Sequence, residues 1–161
     1  AGIVHLFNHA LMKGALFLAV GCIFLRAHSV QLSDLAGLGR RMPITSFAFV
    51  LGGLGLVGVP LTVGFVSKWY LILGALERGW WPVAGLVLVS SLMALVYIWR
   101  FVETAYFHPP PEGNAEIAEA PLTMQIPLWI LLAMSIGFGL DTEMTAGTAH
   151  RAALWLLGST P

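Results

Sequence analysis

Four apolar runs, each long enough to cross a bilayer, contain only two formal charges between them, Lys13 and Lys68. The runs cover residues 3–25, 43–76, 81–99 and 120–140. A spanning helix needs about 20 mostly apolar residues, because hydrocarbon offers backbone groups no partner outside the segment. Lys13 lies midway through the first run and Lys68 in the second half of the second. The six arginines, Arg26, Arg40, Arg41, Arg78, Arg100 and Arg151, instead sit at or beyond the ends of runs. A lysine at bilayer depth costs about 2.5–3.5 kcal/mol, so it normally faces a bundle interior or a water path. A buried lysine can also give up its proton, whereas arginine effectively cannot. The chain keeps its titratable cation in the membrane and its permanent cation outside, a division that points to proton movement.

Composition supports the same class. The 161 residues are 58% hydrophobic and 10% charged, with mean hydropathy +0.84, against about 25% charge in a soluble domain. The expectation is an all-α integral membrane protein with four transmembrane helices, forming one membrane domain over residues 1–161. Zero net charge supports no nucleic-acid partner. Cys22 is the one cysteine and reads as a packing residue, without disulfide or metal spacing. No haem or iron–sulfur ligand set is present and no cofactor is expected. No basic segment precedes the first run, so nothing resembles a signal peptide. With no initiator methionine and a run beginning almost at residue 1, the chain reads as the C-terminal piece of a longer polypeptide.

The second run is too long for one crossing. As a continuous helix its residues would extend about 50 Å, against a hydrocarbon core of about 30 Å. A break at Gly58-Val59-Pro60, with Gly64 just beyond, accounts for the excess. Proline lacks an N–H and collides with the carbonyl four residues back. Two half-helices with freed backbone groups result, and such interruptions mark ion sites in transporters. In the first run Gly14 and Gly21 allow a close neighbour. Trp80, Trp81, Trp99 and Tyr106 read as interfacial belt residues. A proline-rich acidic surface loop follows from His108 to Glu119, and residues 141–157 read as a short interfacial helix. The basic residues between the first two runs put that loop on the cytoplasmic side, with the last run ending outside.

His5, His9 and Lys13 recur every four residues. Each step advances about 400° and rises about 6 Å, so the three share one helix face. Histidine titrates near neutral pH, and such a row can pass a proton through side-chain motion and bridging water. A lone intramembrane histidine is ordinarily a packing residue; two in register with a lysine form a candidate relay. Asn8 lies beside the row. Lys68 adds a second cation beside the broken helix. No acid lies within the runs; Glu77 and Glu103 are at their ends. A counter-charge is therefore expected from elsewhere, with Glu103 the best internal candidate.

The segment His5-Leu6-Phe7-Asn8-His9-Ala10-Leu11-Met12-Lys13-Gly14-Ala15-Leu16-Phe17-Leu18 resembles a helix of the antiporter-like membrane subunits. These belong to respiratory complex I (NADH:quinone oxidoreductase) and Mrp-type monovalent cation/proton antiporters. The resemblance continues through Asp34-Leu35-Ala36-Gly37-Leu38-Gly39-Arg40-Arg41-Met42-Pro43, and resumes at Gly58-Val59-Pro60 and Gly64-Phe65-Val66-Ser67-Lys68. It covers roughly residues 1–105. It implies the last four helices of a fourteen-helix fold, with Lys13 as the relay lysine of the eleventh helix. His5 and His9 match the polar residues beside it, and Lys68 matches the ionisable residue of the broken twelfth helix. The family's uptake half lies outside this chain.

Three functions compete. The first is proton translocation in a Mrp-type antiporter, through Lys13, Lys68, His9 and His5, with other membrane subunits, protons and sodium as partners in the cell inner (plasma) membrane. The second is a proton-pumping subunit of an NADH:quinone oxidoreductase, to which this chain would bring no redox or hydrolytic centre. The third is a structural membrane fragment. The stretch from Gly64 to Tyr70 tilts the resemblance toward the Mrp type.

Overall fold

The computed structural model describes residues 1–110, 117–156 and 158, and within them the chain is helical. The expected acidic turn Pro111-Glu112-Gly113 and Glu116 lies outside the described residues, as does Leu157. Helix α1 runs Gly2–Ala27 and ends where His28 turns left-handed (φ 54°) and bonds back to Phe24 O. A 3-10 turn, Leu32–Leu35, and the single turn α2, Leu38–Arg41, lead into α3, Pro43–Val57. Proline in the first turn suits a helix start, since its missing N–H is unpaired there anyway. Helix α4 is Val63–Glu77, and α5 is Trp81–Val102, continued by a π-helical turn over Glu103–Phe107. Helix α6 is Leu122–Leu140; a second π turn, Glu143–Gly147, precedes the short α7, Thr148–Leu156.

Among the described residues three helical segments are long and apolar enough to cross a membrane, Gly2–Ala27, Trp81–Phe107 and Leu122–Leu140; Pro43–Val57 is a shorter apolar helix. The helix expected over 81–99 thus runs on past Trp99, because Arg100 to Val102 continue it without a breaker.

Helix α1 is the hub, packed against α3, α4 and α6. Its Ala15, Ala19, Cys22 and Ile23 form a core with Leu38, Met42, Ala48, Leu128 and Leu132. Small residues let the axes approach: Gly14 faces Leu131 and Gly21 faces Met124, both on α6. Since lipid tails are as apolar as leucine, this packing works through close contact and hydrogen bonds rather than through hydrophobic exclusion.

One end of the bundle is closed by Glu119. Met42, at the start of α3, makes no side-chain cap. Glu119 caps it from 74 residues away: its Oε1 accepts from Ile44 N (2.6 Å) and its Oε2 from Thr45 Oγ1 (2.7 Å). Gln125 of α6 donates to the same Oε2 at 3.2 Å, and Arg26 Nε to the Glu119 carbonyl at 3.0 Å. A carboxylate is favoured at a helix N-terminus, where unpaired N–H groups carry partial positive charge. At the other end Phe7 of α1 meets Phe138 of α6, with centroids 5.8 Å apart.

Candidate functional site

The break between α3 and α4 builds the site. Helix α3 stops at Val57 because Gly58 adopts φ 91°, and its N–H returns to Leu54 O (3.0 Å) and Gly55 O (3.1 Å). Left-handed backbone of this kind is the common helix terminus and suits glycine. Pro60 lies beyond the stop, in the five-residue connection between Val57 and Val63. Gly58 ends the helix, and Pro60, lacking an N–H, follows the stop rather than causing it. Leu61 carries φ 77°, a strained value for a branched side chain. Thr62 Oγ1 donates to Val59 O (2.7 Å) and accepts from Phe65 N (3.4 Å), capping α4. Gly64 lies flush against the Gly55 carbonyl, with no room for a Cβ, and Gly139 of α6 lies against the backbone of Leu61 and Thr62. These contacts cover the start of α4 and the backbone of Leu61 and Thr62, while the side chains of Val59, Pro60 and Leu61 stay exposed.

Helix α1 is fastened to the start of α4 by polar contacts. Asn8, fully buried, donates Nδ2 to Val63 O at 3.1 Å. His5 Nδ1 lies 3.1 Å from Ser67 Oγ, and Ser67 Oγ donates to Gly64 O at 3.3 Å. The His5 and His9 rings are 5.6 Å apart between centroids and tilted by 38°. Lys13 is the exposed member of the row, its Nζ 5.7 Å above the Phe17 ring centroid. An aromatic face attracts a cation without supplying a counter-charge.

Half-buried Lys68 has a complete set of partners. Its Nζ donates to Leu56 O (2.7 Å), Val57 O (3.1 Å) and Ser91 Oγ (2.7 Å). An ammonium has three protons to donate and no acceptor, so all three are used. The last carbonyls of a helix lack intrahelical partners and carry partial negative charge. Gly58 N–H takes those of Leu54 and Gly55, and Lys68 takes those of Leu56 and Val57. Within this chain the three acceptors of Lys68 are neutral. Glu103, the internal candidate, sits in the turn after α5, about 18 Å along the helix from Ser91, where its backbone carbonyl accepts from His108 Nδ1.

A cavity of about 310 Å³ joins these groups; His5, His9, Lys13, Lys68 and Tyr97 all line it. It has room for several water molecules, and its polar side chains are set among the apolar walls of Met12, Leu56, Leu71, Val87 and Ala94. The structure therefore gathers the titratable residues of two separate helices into one space. Sequence reasoning passed over Ser91 and Tyr97 of α5 and the Ser67 contact. A hydroxyl pair, Ser90-Ser91, in the middle of an otherwise apolar run was the available signal. Among the described residues no cluster of histidine, cysteine and acid could hold a metal ion.

The family model described as "NADH:quinone oxidoreductase/Mrp antiporter, TM" matches residues 1–94. The NADH-quinone oxidoreductase subunit N of Desulforudis audaxviator is 36% identical over 168 residues, covering 96% of this chain and 34% of that protein. A Na(+)/H(+) antiporter subunit of Bacillus subtilis is 31% identical over 158 residues, covering 96% of this chain and 31% of that protein. The structure of the Mrp complex from Dietzia superposes with TM-score 0.79 at 23% identity, over 89% of this chain and 35% of that one, a likeness of fold. The chain spans about a third of the length of these relatives. With its long apolar helices and a family match over more than half its length, the chain belongs to the multi-pass NADH:quinone oxidoreductase/Mrp antiporter membrane-subunit family.

Proposed function

We propose that the chain carries part of the proton path of a membrane subunit in a multi-subunit monovalent cation/proton antiporter. Lys68, Lys13, His9 and His5 hold the proton in turn, and water in the shared cavity bridges them. The observation that carries this reading is that one cavity is lined by two lysines and two histidines from α1 and α4. The His5 and His9 rings lie 5.6 Å apart between centroids, and a bridging water or a side-chain swing completes each step. Among the described residues the ammonium of Lys68 rests on neutral acceptors. A charge arriving or leaving nearby then changes its proton occupancy through coupled titration. Partner subunits couple this movement to sodium or another cation.

The relationship to a subunit N of an NADH-quinone oxidoreductase favours a second reading, in which the same groups serve a redox-driven pump. The local chemistry is common to both. Small antiporter subunits encoded beside this chain would favour the first; quinone-module and iron–sulfur subunits would favour the second. In either setting the proposal has α3 and α4 crossing as one discontinuous span, α7 at the membrane interface, and the whole as the last helices of a fourteen-helix fold. The host is the cell inner membrane.

Proton transport measured in vesicles holding the assembled complex tests the reading. Lys68→Ala and Lys13→Ala are expected to lower transport about tenfold or more, with assembly checked by co-purification. Full transport by both variants would leave a structural fragment as the better account.

A further inference from the structure

Lys68 has three hydrogen-bond partners, and they are not equivalent. Leu56 O and Val57 O are carbonyls and can only accept. Ser91 Oγ accepts from Lys68 Nζ at 2.7 Å and donates its own proton to Val87 O at 3.1 Å, on the same helix. A hydroxyl can rotate, so it alone among the three can reverse its role. A neutral amine has two protons and one lone pair. On losing a proton Lys68 would leave one of its acceptors unmatched and its lone pair without a donor. Two fixed carbonyls take the two remaining protons; the lone pair needs a hydroxyl proton. A buried polar group without a partner is costly, so a site that must hold both forms needs a partner that suits both.

We propose that Ser91 is a positioning residue for Lys68, its hydroxyl turning from Val87 O to the lysine nitrogen whenever the amine is neutral. The inference rests on the reading of Lys68 as a site on the proton path. The swing needs no backbone movement, because Val87 O already has its helical partner and tolerates loss of the extra bond. The groups that face Lys68 across the cavity are His5, His9 and Lys13 of α1 and Tyr97 of α5; the part of α3 nearest to it contributes backbone carbonyls and no titratable side chain. The third proton of Lys68 Nζ goes to Ser91 rather than to any of these. Its place is set by α5, which brings residue 91 opposite residue 68 at mid-helix.

The test uses a near-isosteric pair in the assembled complex in membrane vesicles, reading the initial rate of proton transport. Ser91→Thr keeps the hydroxyl and Ser91→Val replaces it with a methyl. Expected is transport within about twofold of wild type for Thr and a fall of about tenfold for Val, the size of one lost hydrogen bond to a charged group. Ser91→Ala, smaller than serine, should fall with Val and guards against a variant that fails to assemble. Equal rates for Thr and Val, whether both normal or both reduced, would overturn the inference, since a steric role cannot tell them apart. Lys68→Ala run alongside separates the two levels. Loss with Lys68→Ala but normal transport in Ser91→Val removes only the role of Ser91; normal transport in Lys68→Ala removes the path reading and this inference with it.

Discussion

Lys68 serves as both a charge and a helix cap, and the two duties can be separated by substitution. Alanine at 68 leaves the carbonyls of Leu56 and Val57 without the donor they have now, at about 1–3 kcal/mol for each that stays dry. Arginine can still donate to them but holds its proton permanently. Lys68→Arg is therefore expected to keep the thermal stability of the purified protein closer to wild type than Lys68→Ala does, yet to lose proton transport by about tenfold or more. Transport retained by the arginine variant would show that release of a proton at this position is not required. Glu119 is the opposite case, a residue whose part is purely in the fold. Its carboxylate receives Ile44 N, Thr45 Oγ1 and Gln125 Nε2. Glu119→Ala should destabilise by about 1–2 kcal/mol, and Glu119→Gln by less, since an amide oxygen still accepts. A Tm of the detergent-solubilised protein unchanged by Glu119→Ala would refute the cap.

At the scale of elements, the break is the device on which the site depends. The residue that most resembles a helix breaker, Pro60, follows a helix already closed by Gly58 at φ 91°. Any side chain at 58 is strained in that conformation, and a Cβ there would come within 3.2 Å of Lys68 Cδ. Gly58→Ala is accordingly expected to cost about 1–2 kcal/mol and to disturb the cradle, lowering transport as well as Tm. Pro60→Ala should change Tm by less than about 1 kcal/mol equivalent, because Thr62 still caps α4 from within the loop. The reverse ranking would mean that proline maintains the break. The position of the interruption was legible from Gly58, Pro60 and Gly64. Its cause was not, because a left-handed terminus depends on hydrogen bonds back to Leu54 and Gly55, which the composition of the loop does not specify.

At the scale of the whole molecule, α5 presents Leu86, Leu92 and Val96 at 68%, 63% and 58% exposure, a surface that only lipid or neighbouring helices can cover. Basic residues Arg26, Arg40 and Arg41 lie at the end closed by Glu119, the end expected to face the cytoplasm. Ser33→Cys in that exposed loop should then react with a membrane-impermeant thiol reagent only from the cytoplasmic side, while the native Cys22, fully buried, stays silent. Labelling from the opposite side would invert the topology. The sequence by itself determined the helical membrane class, the apolar runs, the four titratable groups and the site of the break. Each of these follows from local chemistry: hydrocarbon selects long uncharged helices, and four-residue spacing aligns His5, His9 and Lys13. Tertiary structure decided the partners. Lys68 is satisfied by the end of α3 and by a serine of α5, and α3 begins under a carboxylate 74 residues away. Such contacts join segments distant in the chain, and their distances depend on how the helices cross, a quantity that no single run of residues contains.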